Sequence, residues 1–457
     1  MPSSPGCSSR SGWDRKPASR ACARPCWRAR LLDLADAGLT TTSHFSTRDG
    51  LAYGLLGLPL AFVALPLYVI LPNHYAREFG VPLATLGAVL LGARLFDAFI
   101  DPLIGRVTDR LFARSPRAVL GFGALAAVLL AAGFALLFFP PTREPGALVL
   151  WATLMLVLTY AAYSALSVAH QSWGAMLGGD EAQRSRIVSW REGLGLVGVL
   201  LASVLPLAIG LPWTVAVFSA LLVLAWCAWT HARAPQSRTD RHATSLWLPF
   251  TRPAFRRLLA VFVLNGIASA VPATLVLFFV QDRLQAPRSI EPAFLGSYFL
   301  CAALSIPLWL KVVGRFGLAR SWLAGMGLAI AVFVWATQLG AGDVLPFILV
   351  CALSGVALGT DLALPSAMLA GVIADAGDRG QAEGAYFGWW NFATKLNLAL
   401  AAGLALPLLG LFGYTPGARG EEALGALVVA YCLLPCALKL LAALALYFTI
   451  IRHKASA

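Results

Sequence analysis

From residue 50 onward, apolar runs of roughly 20 residues or more alternate with short polar connections. Runs near 51–72, 83–105, 118–140, 147–178, 192–210 and 213–231 precede a polar, basic stretch. Runs near 257–280, 293–312, 321–341, 344–373, 383–411 and 424–450 follow it. Each can cross ~30 Å of hydrocarbon as a helix. A spanning barrel would need alternating strands of about 10 residues, which are absent from this pattern. The pattern predicts an all-α polytopic membrane protein with 12 transmembrane helices. Six runs on each side of a basic loop predict two pseudo-symmetric six-helix bundles, 50–232 and 257–451. The loop at 233–256 joins them, a short tail at 452–457 follows, and a ligand site is expected near the midplane between the halves.

Residues 1–46 break the pattern, being polar, rich in Arg, Ser and Pro, and without an apolar core of signal-peptide length. A disordered tail, a transit-like peptide and sequence translated from upstream of the true start are the three readings. The third is favoured, because nothing links this segment to the first apolar run.

Basic residues set the orientation. Alternate connections carry Arg106, Arg110, Arg114 and Arg117, then Arg184 and Arg186, then Arg233, Arg238, Arg241 and Arg252, then Arg315 and Arg320, then Arg379. The opposite connections carry Arg77, Arg143, Arg283, Arg288 and Arg419. The positive-inside rule therefore places both termini and the central loop in the cytoplasm of a bacterial-type plasma (inner) membrane.

Composition removes other classes. The chain of 457 residues is 59% hydrophobic and 12% charged, about half the charge of a soluble domain. Its net charge of +13 sits in short connections rather than on one face, so no nucleic-acid partner is expected. Its eight cysteines form no CxxC pair, and those in apolar runs read as packing residues. No HExxH, CxxC or Ser-His-Asp constellation has supporting context, so neither an enzyme nor a metal centre is expected.

The informative residues are the charges inside apolar runs, because an ionisable group at membrane depth is costly unless paired or wetted. In the second run Arg94, Asp97 and Asp101 are spaced to share one helical face. Two carboxylates a turn apart repel unless a cation, a proton or Arg94 intervenes. They therefore read either as a cation or proton site or as a fixed Arg–Asp lock. Asp109 and Arg110 read as a helix-end lock. In the fourth run Tyr163, Ser167 and His170 (or Gln171) share a face, with Ser164 adjoining. Their oxygens suit a hard cation, a hydroxylated ligand or plain interhelical hydrogen bonding. His170 beside a cavity could titrate near neutral pH. Asp361 lies four residues before Pro365, a position suited to coupling or gating. Lys395, with Asn391 one turn earlier, needs a carboxylate, and Asp97, Asp101 or Asp361 would serve. Trp389 offers a flat surface for a sugar ring, though packing also accounts for it. Arg191 and Glu192 stand at the cytoplasmic end of the fifth run, where snorkelling is open to both.

Three ordered stretches carry a likeness: "RLFDAFIDPLIG", "GAML…SRIVSWREGLGLVG" and "LPSAMLAGVIAD…GQAEGAYFGWWNFATK". From about 50 to 450 the chain resembles the glycoside–pentoside–hexuronide:cation symporters, the melibiose-permease branch of the major facilitator superfamily. The resemblance implies the twelve-helix fold, alternating access and symport driven by Na+, Li+ or H+. It implies that Asp97 and Asp101 bind the coupling cation, with Ser164 at the position of a hydroxyl ligand. It implies that Arg191 and Lys395 form a charge network tying the halves together.

Several positions depart from the family pattern. Ile100 replaces an asparagine, Ser167 replaces the sugar-binding acid of the fourth helix, and Ala169 and His170 replace a Pro-aromatic pair. Ala61 lies near where the first helix would carry another acid. The coupling acids thus persist without the galactoside-binding pair. With Ile100, Na+ would find fewer oxygens than a hard cation takes, whereas a proton needs one carboxylate. The expected function is cation- or proton-coupled symport of a small organic solute, a sugar or glycoside by resemblance. The alternative is an amphipathic lipid-like substrate such as a lysophospholipid, and a transporter-like sensor is more remote. The expected coupling ion is H+ or Na+ with no other cofactor. The substrate cavity is expected at Arg94, Tyr163, Ser167, His170, Asp361, Trp389 and Asn391, in a monomer surrounded by the lipid bilayer.

Overall fold

The structure, a computed structural model, describes residues 45–235, 245–411, 413–415, 417 and 419–452. Most of the N-terminal extension, Arg238 and Arg241 of the central loop, and residues 453–457 of the tail lie outside these. Every regular element among the described residues is helical.

The first helix, α1 (Thr47–Glu78), starts earlier than its apolar run implies. Ser46 and Asp49 form a reciprocal capping box, which satisfies the first orphan N–H groups with polar side chains. Phe45 is 2% exposed and packs in the core. The last two residues of the expected extension therefore belong to the folded body. The next helices are α2 (Leu83–Arg114), α3 (Pro116–Phe138) and α4 (Pro145–Met176). The element Glu181–Thr230 is broken at Gly210 (φ 79°, ψ 166°) into α5 (181–209) and α6 (211–230). Glycine alone adopts that geometry without strain, and Pro212 follows it. Then come α7 (Pro253–Arg283), α8 (Glu291–Phe316), α9 (Leu318–Ala336), α10 (Val344–Asp375), α11 (Glu383–Leu411) and α12 (Glu421–Ile451).

Nine described helices are long and apolar enough to cross a membrane, one of them being the element that Gly210 divides. Adding α2 and α11, of 32 and 29 residues, and counting both arms of the broken element gives twelve helical arms. The outward faces are apolar: Leu207 is 92% exposed and Leu345 77%, as expected where lipid is the solvent.

Helix pairs α1/α5, α2/α4, α3/α4 and α3/α6 pack within the first half, and α7/α11, α7/α12, α8/α10 and α9/α10 within the second. The halves meet where α2 and α4 lie on α11 and where α5 lies on α8 and α10. Along part of the α2/α11 crossing the backbones touch at glycines, beside the Asp109 carboxylate. A Cβ on Gly384 would stand 2.2 Å from the Gly105 carbonyl oxygen, and one on Gly388 2.7 Å from that of Asp101. Gly384 and Gly388 are a small-xxx-small pair, which lets two backbones touch. Among the described residues, five-residue π segments interrupt α1 at Pro66–Ile70 and α12 at Val429–Leu433, and end α7 at Phe279–Arg283 and α12 at Tyr447–Ile451.

Candidate functional site

The packing of α2 and α4 against α11 brings Asp97, Asp101, Ser164 and Lys395 together. The Lys395 ammonium lies 2.7 Å from Asp97 Oδ2 and 2.8 Å from Asp101 Oδ2. It donates to Ser164 Oγ at 2.7 Å and to Asp101 Oδ1 at 2.9 Å, and Ser164 donates to Asp97 Oδ1 at 2.7 Å. Asp97 and Asp101 are 3% and 0% exposed, so their repulsion is relieved by a cation carried on the other half. The cation between the two acids is thus Lys395. Arg94 turns away and stacks on Tyr68, its guanidinium carbon 3.9 Å from the ring centroid.

A second charge cluster lies in the other half. Asp361 (α10) accepts from Asn265 Nδ2 at 3.0 Å, Trp322 Nε1 at 2.8 Å, Ser269 Oγ at 3.2 Å and Lys439 Nζ at 2.9 Å. Lys439 (α12) also donates to Asn265 Oδ1 and Ser269 Oγ, so its three protons are all placed. This pair forms a polar pole of a cavity of about 550 Å³. Ala61, Tyr68, Pro272, Phe299, Phe333 and Leu358 are among its walls, which are mostly apolar. Tyr68 and Tyr431, both on π segments, face it; such segments recur at functional sites.

On the side bearing the central loop, the halves are latched. Asp109 accepts backbone N–H groups of Gly384 at 2.6 Å and Ala385 at 2.8 Å, capping the start of α11 from a different helix. Glu181 accepts from the Leu318 N–H at 2.8 Å, and Arg379 donates to the Met176 carbonyl at 3.0 Å. Outside this latch, Arg252 at the entry to α7 grips Asp378 of the α10–α11 connection through two nitrogens at 2.7 and 3.0 Å. That carboxylate holds the guanidinium above its ordinary pKa.

The sequence-derived residues separate into groups. Asp97, Asp101, Ser164 and Lys395 come together, and Asp361 lies on the cavity. Arg94 approaches the cavity only through Tyr68. Tyr163 and Asn391 are partly buried, and Ser167 is buried and accepts from Gln171 at 3.0 Å. His170 is not a cavity residue. It is fully buried, its Nε2 lies 2.8 Å from the Tyr53 carbonyl, and its ring stacks on Tyr53 and meets the edge of Trp229. Trp389 is also displaced from the expected cavity: its indole donates to the Leu246 carbonyl and packs with Trp247 and Phe250, clasping the central connection. Arg191 pairs with its neighbour Glu192 at 2.5 Å and lies against Gly57 of α1, so this ion pair stays within one half. Lys439 was missed, though a lysine within "LLPCALKLLAALAL" is the same signal that marked Lys395. Asn265, Ser269 and Trp322 give no such signal. Among the described residues no cluster of three or more His, Cys, Asp or Glu could hold a metal ion.

Comparison with known proteins agrees with this architecture. The family model described as "MFS/sugar transport protein" matches residues 50–453. A "Putative sulfoquinovose importer" of Salmonella typhimurium is 26% identical, over 89% of this chain and 90% of its own. The inner membrane symporter YicJ of Escherichia coli is 26% identical over 62% of this chain and 66% of its own. The solved structure of the E. coli fucose:proton symporter superposes with a TM-score of 0.64 at 16% identity, covering 87% of this chain and 98% of that one. The chain is an integral membrane protein that belongs to the MFS/sugar transport protein family.

Proposed function

We propose that this transporter accumulates a small sugar-like solute by proton-driven symport, with Asp97, Asp101 and Ser164 as the coupling site and Lys395 as its exchangeable resident cation. The observation that carries this reading is the bridge itself: a cation on α11 held by acids on α2 and a hydroxyl on α4. Protonating either acid weakens the hold on Lys395 and frees the two halves to rock. A sodium ion would have to expel the ammonium from the same oxygens, with Ile100 contributing none. The halves 50–232 and 257–451 are then the moving bodies, with 233–256 as the cytoplasmic connection. Both termini face the cytoplasm by the positive-inside rule, and the unit of transport is the monomer in the inner membrane. A lipid-like amphiphile is the second reading, favoured by the apolar cavity wall.

Proteoliposomes offered a panel of labelled glycosides test this. An inward pH gradient without Na+ is expected to drive accumulation, and a Na+ gradient at clamped pH is not. Uptake that follows Na+ at clamped pH overturns proton coupling.

A further inference from the structure

Among the described residues lining the 550 Å³ cavity, only Asp361 and Lys439 are charged. Their hydrogen bonds are unequal in a way that selects a ligand. If Lys439 lets go, Asp361 keeps three neutral donors in Asn265, Ser269 and Trp322. Its negative charge therefore stays solvated by the protein. Lys439, by contrast, would retain only the neutral oxygens of Asn265 and Ser269 and would lack a counter-ion. An arriving anion can thus replace Asp361 at Lys439 without stranding a charge, whereas an arriving cation would strand Lys439. A second observation points to a ligand in the same cavity. Ser354, 8% exposed, lines it, and its hydroxyl has no hydrogen-bond partner. A buried hydroxyl left unpaired is a cost that a bound molecule would remove.

We propose that Lys439 is an anion subsite that takes the acid group of an organic anion whose apolar face lies on the cavity wall, and that Ser354, two helical turns from Asp361 on α10, meets a second polar group of the same ligand. This deepens the transport reading and rests on it. The shared chemistry is a carboxylate or similar acid on a partly apolar body; a sugar acid and a single-chain amphiphile are two sources of it.

Binding to purified protein in phosphatidylcholine nanodiscs separates these sources. The probes are phenyl β-D-glucuronide, phenyl β-D-glucoside, which lacks the acid, and decanoate, which lacks the sugar. At least one anion is expected to bind tenfold or more tightly than the neutral glucoside, and which anion does so identifies the source. The double variant Asp361→Asn/Lys439→Gln keeps polar groups at both positions, and its folding is checked by melting temperature and gel filtration. It is expected to lose the preference for anions. Ser354→Ala is expected to melt at or above the parental temperature yet to weaken binding several-fold. Equal binding of glucuronide and glucoside with no decanoate binding, no binding of any probe, or an anion preference that survives in the double variant each overturns the subsite. Anion binding at Lys439 together with failure of gradient-driven uptake would instead sink the transport reading alone.

Discussion

Lys395 reaches out of its own half to be held by α2 and α4, whereas Lys439 is satisfied by α7 and α10 of the half it belongs to. Both are ammonium groups in apolar helices beside carboxylates. Their difference is topological: a bridge between bodies has to break when the bodies separate, while a pair within one body can persist through the motion. The first arrangement suits coupling, and the second suits recognition. The latch on the loop side belongs with the bridge, because Asp109, Glu181 and Arg379 also join the two halves.

The comparison breaks if the two lysines respond alike. Lys395→Gln leaves Asp97 and Asp101 facing each other, and concentrative uptake is expected to fall to background at normal membrane abundance. Asp97→Asn with Lys395→Gln should not restore it, because coupling needs the bridge and not merely charge balance. For the pair within the second half, stability should dominate. Asp361→Asn alone, which leaves Lys439 without a counter-ion, is expected to cost about 3–5 kcal/mol, the usual penalty for stranding a buried charge, and Lys439→Met less, because Asp361 keeps the donors of Asn265, Ser269 and Trp322. Asp361→Asn/Lys439→Gln should recover most of that loss, as read by thermal melting in detergent. A smaller effect is expected at the seam. Gly384→Ala puts a methyl group against the Gly105 carbonyl, and should raise several-fold the thiol labelling of a Thr108→Cys reporter, Thr108 being fully buried on α2 one turn after Gly105. Smallest of all, His170→Phe should leave the pH profile of uptake unchanged. It removes one hydrogen bond to the Tyr53 backbone, worth about 1 kcal/mol of stability.

The apolar runs read out the helices because a bilayer demands length and hydropathy and little else. Exceptions arose where polar chemistry sets the boundary, as with Ser46 capping α1 ahead of its apolar run. Asp97 and Asp101 were legible because their spacing lies within one helix. Lys395 was legible as a group needing a partner, though not as one that takes both acids. The partners of Asp361 come from three other helices, so no local pattern contained them. His170 shows the opposite limit. Sharing a face with Tyr163 and Ser167 defines a direction on one helix, not the neighbour in that direction, and Tyr53 occupies it. Trp389 was drawn away in the same manner by the Leu246 carbonyl.

The glycine seam has a kinetic corollary. Where Gly105 meets Gly384, closure depends on backbone proximity and on one carboxylate seated at a helix end, and no cavity-lining residue takes part. The seam and the cavity wall therefore share no residue. Substitutions around Asp109 are expected to change the rate of the cycle and leave the choice of solute intact, and substitutions on the cavity wall to do the reverse.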